Sequence, residues 1–302
     1  MRRALRGFAL AGPVAAATSG ILAAGALAVT VVGTPENERI RGSRDADQIT
    51  ALGGNDRVLA FAGDDQVDGG GGNDRVRGMA GNDRLDGRAG DDRLFGNAGD
   101  DTVFGGPGAD RIRGNRGQDT LRGDADLIGD LVSPDRIFGG PGADRIFGGD
   151  GDDRLHGGRG RDASEGGGGA DLMSGGRGDD VQNGGDGPDR IFANRGADTT
   201  DGGPGDDRLF ALARRDVERP GSDTVLGGPG DDRIHVRDGE ADTVECGPGT
   251  DLARLDFADV IRDATPEAPL GSCEQVERRK PDPRDSREED KTENPREDAD
   301  RG

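Results

Sequence analysis

From Ile49 onward an aliphatic side chain returns every nine residues, at Ile49, Val58, Val67, Val76, Leu85, Leu94, Val103, Ile112 and Leu121. Two residues before each stands an aspartate, from Asp47 to Asp119 without exception. The rhythm breaks, resumes at Asp135 with Ile137, and runs in steps of nine through Asp144, Asp153, Asp162, Asp171, Asp180, Asp189, Asp198 and Asp207. It breaks once more before Asp223, Asp232, Asp242 and Asp251. A fixed period of this kind marks a repeat architecture, in which each unit buries its apolar face only against its neighbours. The last three residues of a unit read as a minimal strand pointing out, in and out, so one aliphatic per unit faces a shared interior. Both breaks span sixteen residues. Asp126, nine before Asp135, and Asp216, nine after Asp207, keep the phase; they favour two repeats with a two-residue deletion at each break over one repeat with a seven-residue insert, giving 24 units.

Glycine fills the positions five and two before the aspartate in most units. The cleanest unit is GGPGADRIR at 105–113, or G-G-x-G-x-D-x-U-x with U aliphatic, and ten units carry the full GGxGxD. The glycines let the first six residues turn tightly with carbonyls pointing inward. Carbonyls closed by a carboxylate make a hard-oxygen cage, which suits Ca²⁺ better than the strictly octahedral Mg²⁺. Cys and His are missing from the repeating loop as candidate ligands, which disfavours zinc and copper.

This nonapeptide resembles the hemolysin-type calcium-binding (RTX) repeat, and the resemblance covers roughly residues 33–254. It implies an all-β fold, a right-handed parallel β-roll (β-solenoid) in which two nonapeptides make one coil. Each ion is then clamped between turns of successive coils on the same side. The metal-binding aspartates it implies are Asp74, Asp83, Asp92, Asp101, Asp110, Asp119, Asp144, Asp153, Asp162, Asp171, Asp180, Asp189, Asp207 and Asp232. Two units per coil also imply a period of eighteen. The core position turns polar at Ser164, Gln182 and Thr200, each eighteen apart, while the interleaved Met173 and Ile191 stay apolar. One sheet should lose its apolar ladder there and the other keep it. One buried aliphatic per unit falls short of the entropy of ordering the backbone, so the expectation is a disordered chain without calcium and a roll with multiple ions bound.

Composition alone points elsewhere. With 58 Gly, 15 Pro, 30% apolar residues, 3% aromatics and a net charge of −21, the chain has the profile of a disordered acidic protein; the repeat overrules that profile. The excess of acid argues against a nucleic-acid partner. Lys280 and Lys291 are the only lysines, the mark of a high-GC, bacterial coding sequence.

Residues 1–28 read as a signal peptide, with Arg2, Arg3 and Arg6, an apolar stretch and Ala26-Leu27-Ala28. The alternative is an uncleaved anchor; after cleavage no membrane span is expected. Residues 29–245 form the calcium-binding roll, opened by a cap at 33–41 in which Glu38 replaces the aspartate. Residues 246–276 form a C-terminal capping segment, and 277–302 a disordered charged tail. Two cysteines in an exported chain, Cys246 and Cys273, suggest one disulfide pinning that cap.

His156 and His235 fall at position nine, an outward strand site, and H-E-x-x-H, G-x-S-x-G and P-loop motifs are all missing. Doublets such as Asp64-Asp65, Asp91-Asp92 and Asp152-Asp153 recur with the repeat and do not mark an acid/base dyad. Arg57, Arg75, Arg84, Arg93, Arg111, Arg145, Arg154, Arg208 and Arg233 stand at position seven as an outward ladder; it serves either local charge compensation or a polyanion-binding face. The reading is a secreted, extracellular, non-enzymatic calcium-binding protein, structural or adhesive. The alternative is a secreted hydrolase or toxin-like protein that uses the repeats as a calcium-dependent folding module.

Overall fold

The computed structural model describes residues 28–124, 133–211, 221–265, 268 and 270–280. The leader up to residue 27, Asp126, Asp216 and the tail from 281 onward lie outside the described residues. Among those described, the chain forms strands of two to six residues and no helix. Counted from Thr30–Val32 to Gln275–Arg278, the odd strands make one thirteen-stranded parallel sheet, here sheet I, and the even strands make another, sheet II. Ile49 stands beside Val67 in sheet I and Val58 beside Val76 in sheet II, a step of eighteen residues in each. Two nonapeptides therefore make one coil, and loops mostly of three or six residues carry the chain from sheet to sheet.

The three-residue strand Gln66–Asp68 shows the local rule: its outer residues are exposed or half-exposed and only Val67 is buried. The inward aliphatics from Ile40 to Ile261 are at most 4% exposed and join in one continuous core. Ser164, Gln182 and Thr200 stack in consecutive strands of sheet I, while sheet II keeps Leu155, Met173 and Ile191 at the same level, as the eighteen-residue period requires. Gln182 reaches across the interior. Its amide donates to the Phe192 carbonyl and accepts from the Gly175 N–H, both at 3.0 Å.

The two breaks resolve differently from the sequence reading. Arg111 pairs with Arg136 in sheet II and Thr120 with Arg145 in sheet I; the second break likewise joins Thr199 to Thr224 and Arg208 to Arg233. The corresponding aspartates step by 25 residues. An extra unit would have moved Arg136 into sheet I, so each break is one repeat carrying a seven-residue insert. The described strands account for two units fewer than the count of 24, and Asp126 and Asp216 lie outside the described residues.

The outward rows of the two sheets differ. In sheet II the first row reads Arg39, Arg57, Arg75, Arg93, Arg111, Arg136, Arg154 in consecutive strands, and the second Arg41, Leu59, Arg77, Phe95, Arg113, Phe138, His156. In sheet I the first row passes through Gln48, Gln66, Arg84, Thr102, Thr120 and Arg145, and the second through Thr50, Asp68, Asp86, Phe104, Arg122 and Phe147. Further along sheet II the second row is no longer exposed. Phe192 and Phe210 are stacked at 4.8 Å and buried, with Leu172 packed against them.

Candidate metal centre

Position six of the repeat is where the chain turns from loop into strand. Asp153 is 1% exposed there. Its Oδ1 accepts from the N–H of Asp135 at 2.8 Å, and its own N–H donates to Oδ1 of Asp171 at 2.8 Å. The same hook joins Asp56 to Asp74, Asp74 to Asp92 and Asp189 to Asp207 at 2.7, 2.7 and 2.8 Å. The aspartates thus form two ladders, one along the loops entering each sheet, and every carboxylate reaches back one coil.

Each carboxylate has a second oxygen. Oδ2 is buried without a hydrogen-bond partner in all fourteen aspartates that the repeat implied as ligands, from Asp74 to Asp232. Asp56, Asp65, Asp135, Asp198, Asp242 and Asp251 share the feature; their phase announced them, but none has the glycine five residues earlier that all fourteen have. A buried unpaired carboxylate oxygen costs several kcal/mol unless a cation meets it. Main-chain oxygens lie beside it. A Cβ on Gly69 would fall 2.7 Å from Asp74 Oδ2 and 2.8 Å from the Gly87 carbonyl oxygen, and a Cβ on Gly148 would collide with Asp153 Oδ2 and the Gly166 carbonyl oxygen. Glycine therefore keeps open a small space between a carboxylate and a carbonyl one coil away. Among the described residues no three acidic, His or Cys side chains converge. The donor set is instead carboxylate plus main-chain carbonyl, the set that suits a hard divalent cation.

Burial raises these carboxyls. Asp153 is pushed up to about 6, Asp171 to about 7 and Asp110 to about 9, with neighbouring carboxylates adding to the rise and the main-chain hydrogen bond opposing it. Asp47 differs. Its oxygens accept from the N–H of Val29 at 2.6 Å and from the N–H and hydroxyl of Ser43 at 2.5 and 2.9 Å, so protein donors saturate it. The doublets resolve as expected: position five faces its own ladder, with Asp64 accepting from the Asn82 N–H and Asp152 from the Ala170 N–H at 2.8 and 2.9 Å.

The family model of the RTX calcium-binding nonapeptide repeat (4 copies) matches residues 32–67, 59–94, 68–103, 95–126, 133–163, 165–182, 183–212 and 219–252. The chain belongs to that family. Its RTX repeats are calcium-binding ones, which implies Ca²⁺ as the ion of these loops. No curated protein matches the chain at a significant level. Where the RTX repeats end, Cys246 and Cys273 are joined by a disulfide with Cα atoms 5.1 Å apart, both buried in the core. Cys246 N–H also donates to the Ser272 hydroxyl at 2.9 Å. The histidines lie apart: His156 contacts Ser174 and Phe138, and His235 contacts Arg254 and Phe210.

Proposed function

We propose that this chain is an exported, non-enzymatic calcium-binding protein that folds as multiple Ca²⁺ ions enter the loops along both sheets, and that it serves a structural or adhesive role. The observation that carries the reading is the ladder of buried, unpartnered Oδ2 atoms facing main-chain carbonyls. The ligands are the fourteen aspartates from Asp74 to Asp232 named above, joined by Asp56, Asp65, Asp135, Asp198, Asp242 and Asp251. Bound calcium supplies the positive charge that offsets carboxylate burial and repulsion. The aspartates do the rest: Oδ1 fixes the coil behind through its main-chain N–H, and Oδ2 is left for the ion. Export is supported by the signal-like residues 1–28 and by the Cys246–Cys273 bond, which persists in oxidising compartments. A non-enzymatic role is supported by repeats that occupy nearly all the described chain.

The test is circular dichroism of the full chain, titrated with Ca²⁺ and separately with Mg²⁺ up to ~10 mM, a range that covers weak extracellular sites. The expected result is a coil-to-β transition with calcium and far less with magnesium. A chain that stays coil-like in calcium, or folds equally with both ions, overturns the caged sites.

A further inference from the structure

The calcium loops leave the outer face of sheet II without a role. Across seven consecutive strands, from Arg39–Arg41 to Arg154–Arg159, its two outward rows hold ten arginines and no carboxylate, on a chain of net charge −21. The matching rows of sheet I hold only Arg84, Arg122 and Arg145, set among neutral residues together with Asp68 and Asp86. Local compensation would set a carboxylate against each guanidinium. Among the described residues none lies within 4.0 Å of Arg39, Arg57, Arg93, Arg111, Arg136 or Arg154. Like charges directly opposite on neighbouring strands destabilise a sheet. An external anion would relieve that repulsion.

Strand separation places the guanidiniums ~4.8 Å apart, close to the length of one sugar unit, in a strip roughly 29 Å long over six spacings and about 7 Å wide. This is the footprint of a single extended chain with an anion on every unit. A groove of about 670 Å³ runs beside it, lined by six of the seven first-row arginines and by Asn37, Asn55 and Asn73. The position-six aspartates in its wall are buried, and Asp91 is its one exposed acid. A nucleic-acid duplex would overhang the acidic flanks of so narrow a strip. A single strand would need open aromatic faces for its bases. Guanidiniums occupy those faces: Arg75 and Arg77 stand 5.6 and 5.4 Å from the Phe95 centroid, and Arg113 stands 5.6 Å from that of Phe138.

We propose that the outer face of sheet II between Arg39 and Arg154 binds a linear acidic polysaccharide of the uronate type, its carboxylates meeting successive guanidiniums. The Arg fork matches a carboxylate in geometry as well as charge. The proposal names a class of partner for the adhesive reading and rests on it. The test uses the calcium-loaded full chain and a fluorescent oligogalacturonate of ~8 units, long enough to span seven strands. A neutral glucose oligomer of the same length and single-stranded oligo-dT serve as comparison probes. Anisotropy titrations compare the wild type with Arg93→Gln/Arg111→Gln/Arg136→Gln and with Arg84→Gln/Arg122→Gln/Arg145→Gln on sheet I. Circular dichroism of the same samples reports folding separately, so a failure of the calcium reading is distinguished from a failure to bind. The expected result is salt-sensitive uronate binding that falls about tenfold or more in the sheet II variant and less than about twofold in the sheet I variant. Arg93→Lys/Arg111→Lys/Arg136→Lys keeps the charge if the Gln variant folds poorly, and it should lose affinity to an intermediate degree. Equal binding of the neutral oligomer, equal or tighter binding of oligo-dT, or equal losses in the sheet I and sheet II variants overturns the proposal.

Discussion

Asp47 and Asp153 occupy the same position of the nonapeptide and are both 1% exposed, yet their oxygens meet different partners. Ser43 and Val29 saturate Asp47, whereas Asp153 keeps Oδ2 unpaired beside the Gly166 carbonyl. Asp153→Ala is expected to raise the calcium midpoint for folding several-fold, and Asp47→Ala to leave it nearly unchanged. Asp153→Asn sharpens the comparison, because it retains an acceptor for the Asp135 N–H and removes the charge; a full rescue would mean that the hydrogen bond alone matters. The glycines are unequal as well. Position two tolerates Asn97 at φ 85° and Asn115 at φ 75°, both in the left-handed region open to asparagine. Gly99, at φ 127°, lies beyond that region, and a Cβ there would collide with the Gly81 carbonyl oxygen. Gly99→Ala should destabilise the roll by about 2–4 kcal/mol, whereas Asn97→Gly should stay within about 1 kcal/mol of wild type. Calcium-saturated thermal melts of both variants measure the difference.

At the scale of the strand, the polar stretch in sheet I separates two kinds of buried polar group. Thr200 Oγ1 has no partner, so Thr200→Val should stabilise the roll by about 1 kcal/mol. Gln182 satisfies main-chain groups of the opposite sheet. Gln182→Leu strands both and should destabilise by about 1–3 kcal/mol, although it is the more apolar core on paper; melts of the two variants should shift in opposite directions. The sequence disclosed the level of this stretch because spacing alone decides which sheet a unit joins. It did not disclose the bridge, which depends on how far one side chain reaches across the interior. The aspartate phase located the ladders, but it also recruited Asp126 and Asp216. A step of sixteen residues reads in sequence equally as one unit or two, and only the pairing of Arg111 with Arg136 and of Thr199 with Thr224 separates the two readings. Phe192 and Phe210 fall at the outward position nine, and their burial, against each other and Leu172, depends on which coils stack as neighbours rather than on the position within the unit.

Across the whole molecule, the carboxyl ladders couple folding to protons. Their folded values lie above the unfolded ~3.8, at about 6 to 9, so the stabilisation of a calcium-free roll is complete below ~4 and is lost as pH rises through that window. Calcium-depleted protein should therefore gain β signal between pH 8 and pH 5, and calcium binding in the same window should release protons measurable by pH-stat. His235 works in the opposite sense. Burial, then Arg254 and Arg237, hold it down to about 4, so its contribution is intact above ~6.5 and is lost as pH falls towards 4. At the end of the roll, reducing the Cys246–Cys273 loop of 27 residues should cost about 3 kcal/mol, seen as earlier melting under reductant. The strict alternation between sheets also gives the chain a parity. The two sixteen-residue steps preserve it, because Arg111 still pairs with Arg136 and Thr199 with Thr224. Excision of residues 96–104, one nonapeptide, would leave every remaining loop intact and yet exchange the two faces for everything downstream, cutting the arginine row in half. Excision of residues 96–113 would only shorten it. In such a molecule the number of repeats, counted odd or even, decides which way a surface looks.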